Sequence, residues 1–486
     1  MNFEPTYDVA IVGAGFSGTM VAVHLLTGTT TEPPAVALIE KGGEFGRGVA
    51  YGTDCPRHLL NVPAGKMSAF PDRPDHFLDW LRSHGAELRQ VGIEAVDAGT
   101  FVPRMIYGRY VASVLAGAEA AGGQLKRLRG EAVDVQPLTS GELRIELHDG
   151  RLLRARKVVL ALGNFPPGDP RLRDRHFHAS PHYVNSPWSP DSAEKLSAPG
   201  DILILGSGLT SLDLLLSLEH TKRGGMIHVL SRRGLFPQPH QQSAPYPPFL
   251  RPETLPTTAR GMLRRVRAEI ARAAENGVNW RSVIDSLRPL TQEFWRRLTH
   301  LERRRFLRHL RPYWEAHRHR ASRDVLSVKA RLEQSGRLVC HRARVQEIRE
   351  TGEQFEVFIR KPCPAAAECL RVDYVVNCTG PESNYHNLTD PLVLQLFARG
   401  LIRPDPLFLG LDVAPGGAVL NARGEQQGNV FTLGSPQKGM IFETTAVPEL
   451  RTQAQQLAGR LETELQESSA ATAGDSAPDP AYTYEI

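Results

Sequence analysis

Residues 7–18 read YDVAIVGAGFSG, and residues 201–214 read DILILGSGLTSLDL. Each is a short apolar run that turns on glycines and enters a helical pattern. That order of strand, turn and helix is the signature of a dinucleotide-binding unit. In the first stretch, Tyr7 to Val12 reads as a buried parallel strand. Gly13 makes the turn, Gly15 lets a pyrophosphate approach the backbone, and Gly18 lets the helix pack against the strand. Phe16 and Ser17 open a helix running to about Leu26, with its first N–H groups facing the phosphates. The following strand ends at Glu40, 22 residues after Gly18, with Lys41 next to it. A carboxylate at that place can accept both ribose hydroxyls. A turn in an unrelated α/β domain is the competing reading.

The second stretch ends differently. Gly206 and Gly208 make the turn, Leu209 and Thr210 open the helix, and Ser211 takes the place of the third glycine. Twenty residues later, where an NAD site carries an acid, stand Ser231, Arg232 and Arg233. An acid would repel a 2′-phosphate, whereas a guanidinium pairs with it through charge-assisted hydrogen bonds. The alternative is a solvated basic turn. The pair of stretches predicts FAD in the first half and NADPH in the second, hence a flavin oxidoreductase.

A chain of 486 residues is expected to hold two or three domains. The apolar run Ile202 to Leu218 contains Ser207, Thr210, Ser211 and Asp213, which excludes a membrane span. A strand begins within the first ten residues, which leaves no room for a signal peptide and predicts a cytoplasmic protein. The five cysteines form no CxxC or CxxxxC pair, so a disulfide relay is not expected, least of all from Cys363 and Cys369. No Cys/His spacing matches a metal site. His317 and His319, at i and i+2, do not share a helix face, so no metal is expected there either.

The net charge of +5 is concentrated. Residues 251–320 carry 17 arginines and 7 acids. Trp295, Leu298, Glu302, Phe306, His309 and Tyr313 recur there at helical spacing and read as the core stripe of a helical insert, not as a nucleic-acid surface. The local charge predicts a small anionic substrate, steered electrostatically, with Arg308, Arg311 and Arg318 as contacts. Service to NADPH or to the domain interface is the competing role for these arginines. Strands ending VVLALGN at Gly163 and YVVNCTG at Gly380 should close the two dinucleotide-binding units. Seven prolines in residues 234–256 forbid regular structure there.

Longer motifs add a resemblance. GVAYGTDCPRHLLNVPAGKMSA, the ALGN turn, LSRRG, FLRHLRPYWEAHRHR and GSPQKGMIFETTAVPELRTQA together resemble the bacterial FAD/NAD(P)-binding proteins called the YdhS-like family. That family is similar in layout to single-component flavin monooxygenases, including the N-hydroxylating ones. The resemblance implies an α/β fold of two three-layer Rossmann-like domains, the NADPH domain inserted in the FAD domain. The expected division is 1–168 with 381–466 for FAD, 169–250 with 321–380 for NAD(P), 251–320 for the helical insert, and a disordered tail at 467–486. It further implies that Arg47, Asn61 and Met67 line the flavin, and that a backbone group of Val133 meets the adenine. Gly434, Glu443, Thr444 and Thr445 would lie near the flavin pyrimidine edge, at a helix start. Two departures stand out. Gly434-Ser435 replaces the usual Gly-Asp pair, and the fingerprint FxGxxxH is missing, its nearest counterpart being HFHASPHYVNSPW. The implied activity is NADPH-dependent hydroxylation by O₂ of a small N- or S-containing substrate. A flavin reductase or dehydrogenase, and a non-catalytic flavin-binding regulator, are the alternatives.

Overall fold

The computed structural model describes residues 4–28, 32–189, 191–362 and 367–474. Its first sheet has eight strands. Strand Thr6–Val12 lies between two parallel neighbours, Val36–Glu40 and Leu152–Leu160. Leu125–Arg129 extends one side in parallel, and Gln426–Thr432 with Ala418–Leu420 extends the other. Ala132–Pro137 and Leu143–Leu147 form an antiparallel meander into Leu152–Leu160.

Both faces of this sheet are covered, which is why its central strands are apolar throughout rather than alternating with polar residues. Val9 and Ile11 pack against the helices Phe16–Leu26, Arg104–Ala120 and Val447–Gly474. Ala10 and Val12 point the other way, into a second core shared with the meander and the helix Pro391–Ala398. The period-two geometry of a strand thus divides consecutive residues between two layers.

The chain leaves this sheet after Leu160, builds a second one, and returns with Ala418–Thr432. The second sheet is parallel throughout, in the order 338–342, 227–231, 202–205, 374–377, 183–184. Helices Leu209–His220 and Arg323–Gln334 cover one face. A three-stranded antiparallel sheet, residues 344–372, covers the other through Phe355, Val357 and Ile359. The segment rich in proline forms no helix or strand apart from one 3₁₀ turn at Pro252–Thr254 and an isolated bridge from Pro239 to Ala321.

Two expectations need correction. The helix that starts at Val447 continues to Gly474, so a disordered tail does not begin at 467; residues 475–486 lie outside the described residues. The aromatic stripe of the insert is not one helix face either. The segment breaks into helices Thr291–Arg297, His300–His309 and Arg311–Arg318, so the register is interrupted at residues 298–299 and again at 310. Trp295, Leu298, Glu302 and Phe306 are buried, but His309 and Tyr313 are exposed. The insert's core is completed by Phe442 from the returning chain, stacked on Trp295 with ring centroids 4.7 Å apart.

Candidate functional site

The two glycine turns are built alike. A Cβ on Gly13 would run into the carbonyl of Ala161, and one on Gly206 into the carbonyl of Cys378. Each turn therefore packs on the end of the strand that closes its unit, and only glycine permits that approach. Gly18 touches Gly13 and Ala161 in the same way. In the second unit Ser211 replaces that glycine, is fully buried, and turns its Oγ back to donate to the carbonyl of Gly208 at 2.7 Å. The backbone at Gly208 faces open space, with nothing within 4 Å of a built Cβ.

At the first turn, Glu40 Oε2 accepts from Ala14 N at 2.8 Å and Oε1 from Gly42 N at 3.0 Å. The carboxylate is thereby fixed at the strand end with lone pairs to spare. Lys41 reaches Glu131 at 3.6 Å, and Gly130 N donates to the Glu40 carbonyl. That contact brings the start of the meander beside Glu40. Val133 sits where the register with the neighbouring strand shifts, between Ala132 and Asp134. The loop after Glu40 folds over the turn: Gly46 N donates to Ala14 O, and Gly48 lies against Gly15. Arg47, N-terminal to this crossing, pairs with Glu44 at 3.0 Å. Met67 is buried in the core with Phe16 and Tyr107, and the Asn61 carbonyl accepts from His240 Nε2 at 2.9 Å.

The returning chain reaches the same place. A Cβ on Gly434 would lie 3.4 Å from Ser17 Oγ, so the segment before the last long helix crosses the start of the first. Gln453 braces it: its Oε1 accepts from Gly434 N at 3.0 Å, and its Nε2 donates to Thr444 Oγ1 at 2.8 Å. Thr444 is buried and Thr445 exposed. Ser435 Oγ donates to Asn164 Oδ1 at 2.7 Å, tying the departure from the usual Gly-Asp pair to the ALGN turn. Gly163 and Gly380 both take positive φ, at 63° and 96°, and face open space. Glu443 is turned toward the insert, where Trp314 Nε1 donates to its Oε1 at 2.8 Å and Arg318 Nη2 lies 3.2 Å from its Oε2.

The structure separates the two arginines after Ser231. Arg233 donates to the carbonyl of Arg308 at 2.9 Å and lies over the Tyr313 ring, so it fastens the insert. Arg232 is exposed, beside the turn that Ser231 ties down by accepting from Ser207 Oγ and Gly234 N. The three arginines proposed for substrate also differ. Arg308 is exposed, Arg311 Nε is held by Glu315 at 2.7 Å, and Arg318 is held by Glu443.

Sequence reasoning missed a buried cluster between the two units. Arg104 Nη2 of the first meets Asp213 Oδ2 of the second at 2.9 Å, with Asp213 buried and Arg104 half-buried. His58 joins it, bonded through Nε2 to Ser217 Oγ at 2.8 Å and through Nδ1 to Thr53 Oγ1 at 2.7 Å. Burial raises the Asp213 carboxyl to about 6 although Arg104 opposes the shift, and burial together with Arg104 lowers His58 to about 4. The available signal was Asp213 itself, an acid inside LTSLDLLLSL.

Among the described residues no three His, Cys, Asp or Glu side chains converge as a metal site, and no helix is long and apolar enough to cross a membrane. Cys55, Cys340, Cys369 and Cys378 are free thiols; Cys363 lies outside the described residues.

Comparison with known proteins agrees with this geometry. Residues 10–165 match the FAD-NAD(P)-binding family. Uncharacterised proteins of Mycobacterium bovis and Mycobacterium tuberculosis are 24% identical over 538 aligned residues, covering 96% of this chain and 97% of theirs. Among solved structures, the ornithine hydroxylase PvdA of Pseudomonas aeruginosa superposes with a TM-score of 0.66 at 17% identity, over 95% of this chain and 100% of that one. The L-lysine 6-monooxygenase of Pseudomonas syringae gives 0.65 at 17% identity, over 94% and 99%. The ornithine N-hydroxylase of Kutzneria sp. 744, solved with reduced FAD, NADP⁺ and L-ornithine, gives 0.62 at 15%, over 94% and 99%. Residues 10–165 thus match an FAD-NAD(P)-binding domain, and the chain as a whole shares the fold of these solved structures.

Proposed function

We propose that this chain is an NADPH-dependent flavin monooxygenase that hydroxylates a small nitrogen- or sulfur-containing substrate. The observation that carries the reading is the meeting of Gly434 with Ser17, which brings the last helix onto the first glycine turn. The fold it shares with ornithine and lysine hydroxylases supports the same reading.

The residues present fit FAD. Gly13, Gly15, Phe16, Ser17 and Gly18 would frame its pyrophosphate, and Glu40 would take its ribose. The shifted register at Val133 leaves a backbone group for adenine. The loop at Arg47 to Met67 and the segment 434–445 would flank the ring. FAD bound there supplies hydride acceptance and reaction with O₂. The protein's part is positioning and water exclusion. Gly206, Gly208, Leu209 and Thr210 would cradle the NADPH pyrophosphate, and Arg232 would take the 2′-phosphate. We read residues 1–168 with 381–466 as the FAD domain and 169–250 with 321–380 as the NADPH domain. The substrate, small and anionic, would enter between the flavin edge and the insert of residues 251–320.

The test is the fate of the electrons. Purified protein should carry noncovalent FAD, and a screen of amines, amino acids and thioethers should find one whose hydroxylated product equals the NADPH consumed. Oxidation of NADPH with equimolar hydrogen peroxide, whatever the substrate offered, identifies a reductase instead. Absence of anaerobic flavin reduction by NADPH identifies a non-catalytic binding protein.

A further inference from the structure

Residues 233–240 follow the strand end proposed for the 2′-phosphate and hold helix Arg311–Arg318 from both ends. Ahead of the helix, Arg233 Nη2 donates to the Arg308 carbonyl at 2.9 Å, and its guanidinium lies 5.1 Å from the centroid of the Tyr313 ring. Near its end, Gln238 N donates to the Ala316 carbonyl at 2.8 Å, Ala321 N to the Gln238 carbonyl at 3.1 Å, and His240 N to the Ala321 carbonyl at 2.9 Å. The same helix reaches the returning chain. Trp314 and Arg318, four residues apart and so on one face, meet the two oxygens of Glu443 at 2.8 and 3.2 Å. Only 8% of the Glu443 side chain is exposed. The next residue, Thr444, is bonded to Gln453, which also holds Gly434 N beside Ser17. A continuous series of contacts thus runs from Arg233 to the first glycine turn.

The two glycine-turn units have separate cores, and relative motion is the default for units joined in this way. Hydride transfer tolerates little of it. The reacting atoms must lie about 3–3.5 Å apart, and a misplacement of about 1 Å costs about a hundredfold in rate. A short helix pinned by main-chain bonds on one side and by a carboxylate with two donors on the other restricts that motion. The rest of the insert is seated on the returning chain independently, through the stacking of Trp295 on Phe442 and the bond from Trp295 Nε1 to the Gly439 carbonyl at 2.8 Å.

We propose that helix Arg311–Arg318 is a strut that holds NADPH at hydride-transfer distance from the flavin, with Glu443 as the positioning residue at its flavin end and Trp314 as the joint. The assignment rests on the NADPH-dependent reading, with the turn at Arg232 as the nucleotide site and residues 434–445 as the flavin edge. In the step concerned NADPH becomes NADP⁺ and FAD becomes FADH⁻, one proton and two electrons passing together. Neither Glu443 nor Trp314 touches the reacting atoms in this role. They fix the spacing of the two sites, so their loss affects the rate of the step more than the binding of either nucleotide.

The test uses the FAD-loaded full chain and Trp314→Phe, which keeps an aromatic ring in the insert and loses the N–H given to Glu443. Three quantities are read: NADP⁺ affinity by calorimetry, the flavin absorbance difference that NADP⁺ produces at saturation, and the limiting rate of anaerobic flavin reduction by NADPH. Trp314→Phe should keep the FAD content of the parent and bind NADP⁺ within about twofold of it. Its difference spectrum should shrink, and its limiting rate should fall by about tenfold to a hundredfold. Glu443→Gln still offers a carbonyl oxygen to Trp314 and should keep most of the rate, whereas Glu443→Ala should lose it as Trp314→Phe does. If Trp314→Phe gives the parent's difference spectrum and limiting rate, or loses FAD or NADP⁺ affinity along with the rate, the strut is overturned and the NADPH-dependent reading stands. If NADPH does not reduce the flavin of the parent, that reading fails and the strut falls with it.

Discussion

Arg104, half-buried, and Asp213, buried, form an ion pair at 2.9 Å that joins the helix Arg104–Ala120 of the first unit to the glycine-turn helix Leu209–His220 of the second. The pair is one of the contacts between the two units. Removing one partner strands a charge out of water. Asp213→Ala should therefore destabilise the protein by about 3–5 kcal/mol, read by urea unfolding. The double change Arg104→Met with Asp213→Leu should recover most of that loss, since a packed apolar pair costs no desolvation. A single-variant loss below about 1 kcal/mol would show that the pair does not hold the units together.

The same cluster predicts a pH dependence with two opposed parts. His58 is lowered from its ordinary 6.5 to about 4, so its contribution is present above 6.5 and is lost as pH falls toward 4. Asp213 is raised from 3.8 to about 6, so its contribution is present below 3.8 and is lost as pH rises through 6. His58→Gln removes the first part. The cluster's remaining contribution to unfolding free energy should then fall as pH rises from about 4 to about 6. The difference between parent and variant, measured by denaturant titration at several pH values, isolates the His58 term with the opposite slope.

Arg232 and Arg233 should separate kinetically. Arg232→Ala removes the exposed guanidinium proposed for the 2′-phosphate and should raise the NADPH KM by about tenfold to a hundredfold with the NADH KM unchanged, the size expected for one charge-assisted contact. Arg233→Ala breaks the fastening to the Arg308 carbonyl and Tyr313. It should lower thermal stability and leave the ratio of the two KM values near that of the parent. Equal effects of Arg232→Ala on both nucleotides would remove the 2′-phosphate assignment.

Gly48→Ala should empty the FAD site. The residue has φ of 54°, and a Cβ there would stand 2.9 Å from Gly15 Cα, inside the turn proposed for the pyrophosphate. The left-handed conformation alone costs a non-glycine residue about 1–2 kcal/mol. The ratio of absorbance at the flavin band to that at 280 nm, taken on freshly purified protein, should fall well below that of the parent. Gly117→Ala, on an open helix face, should leave it unchanged.

Local spacing determined the two nucleotide units. Tyr7 to Gly18, Glu40, and the run from Ile202 through Ser231 lie in segments whose strand, turn and helix follow from neighbours a few residues away, so period and glycine position sufficed. The residues beyond local reach needed the fold. The sequence shows Arg104 and Asp213 109 residues apart, and nothing in either segment says that they meet. It shows Arg232 beside Arg233 as equals, and the packing of the insert gives them different work. It shows seventeen arginines in the insert as one field of charge, and the ion pairs of Glu315 and Glu443 decide which donors stay free. Backbone pattern is a property of short windows, whereas the pairing and desolvation of side chains depend on which distant elements pack together, and only the tertiary structure decided that.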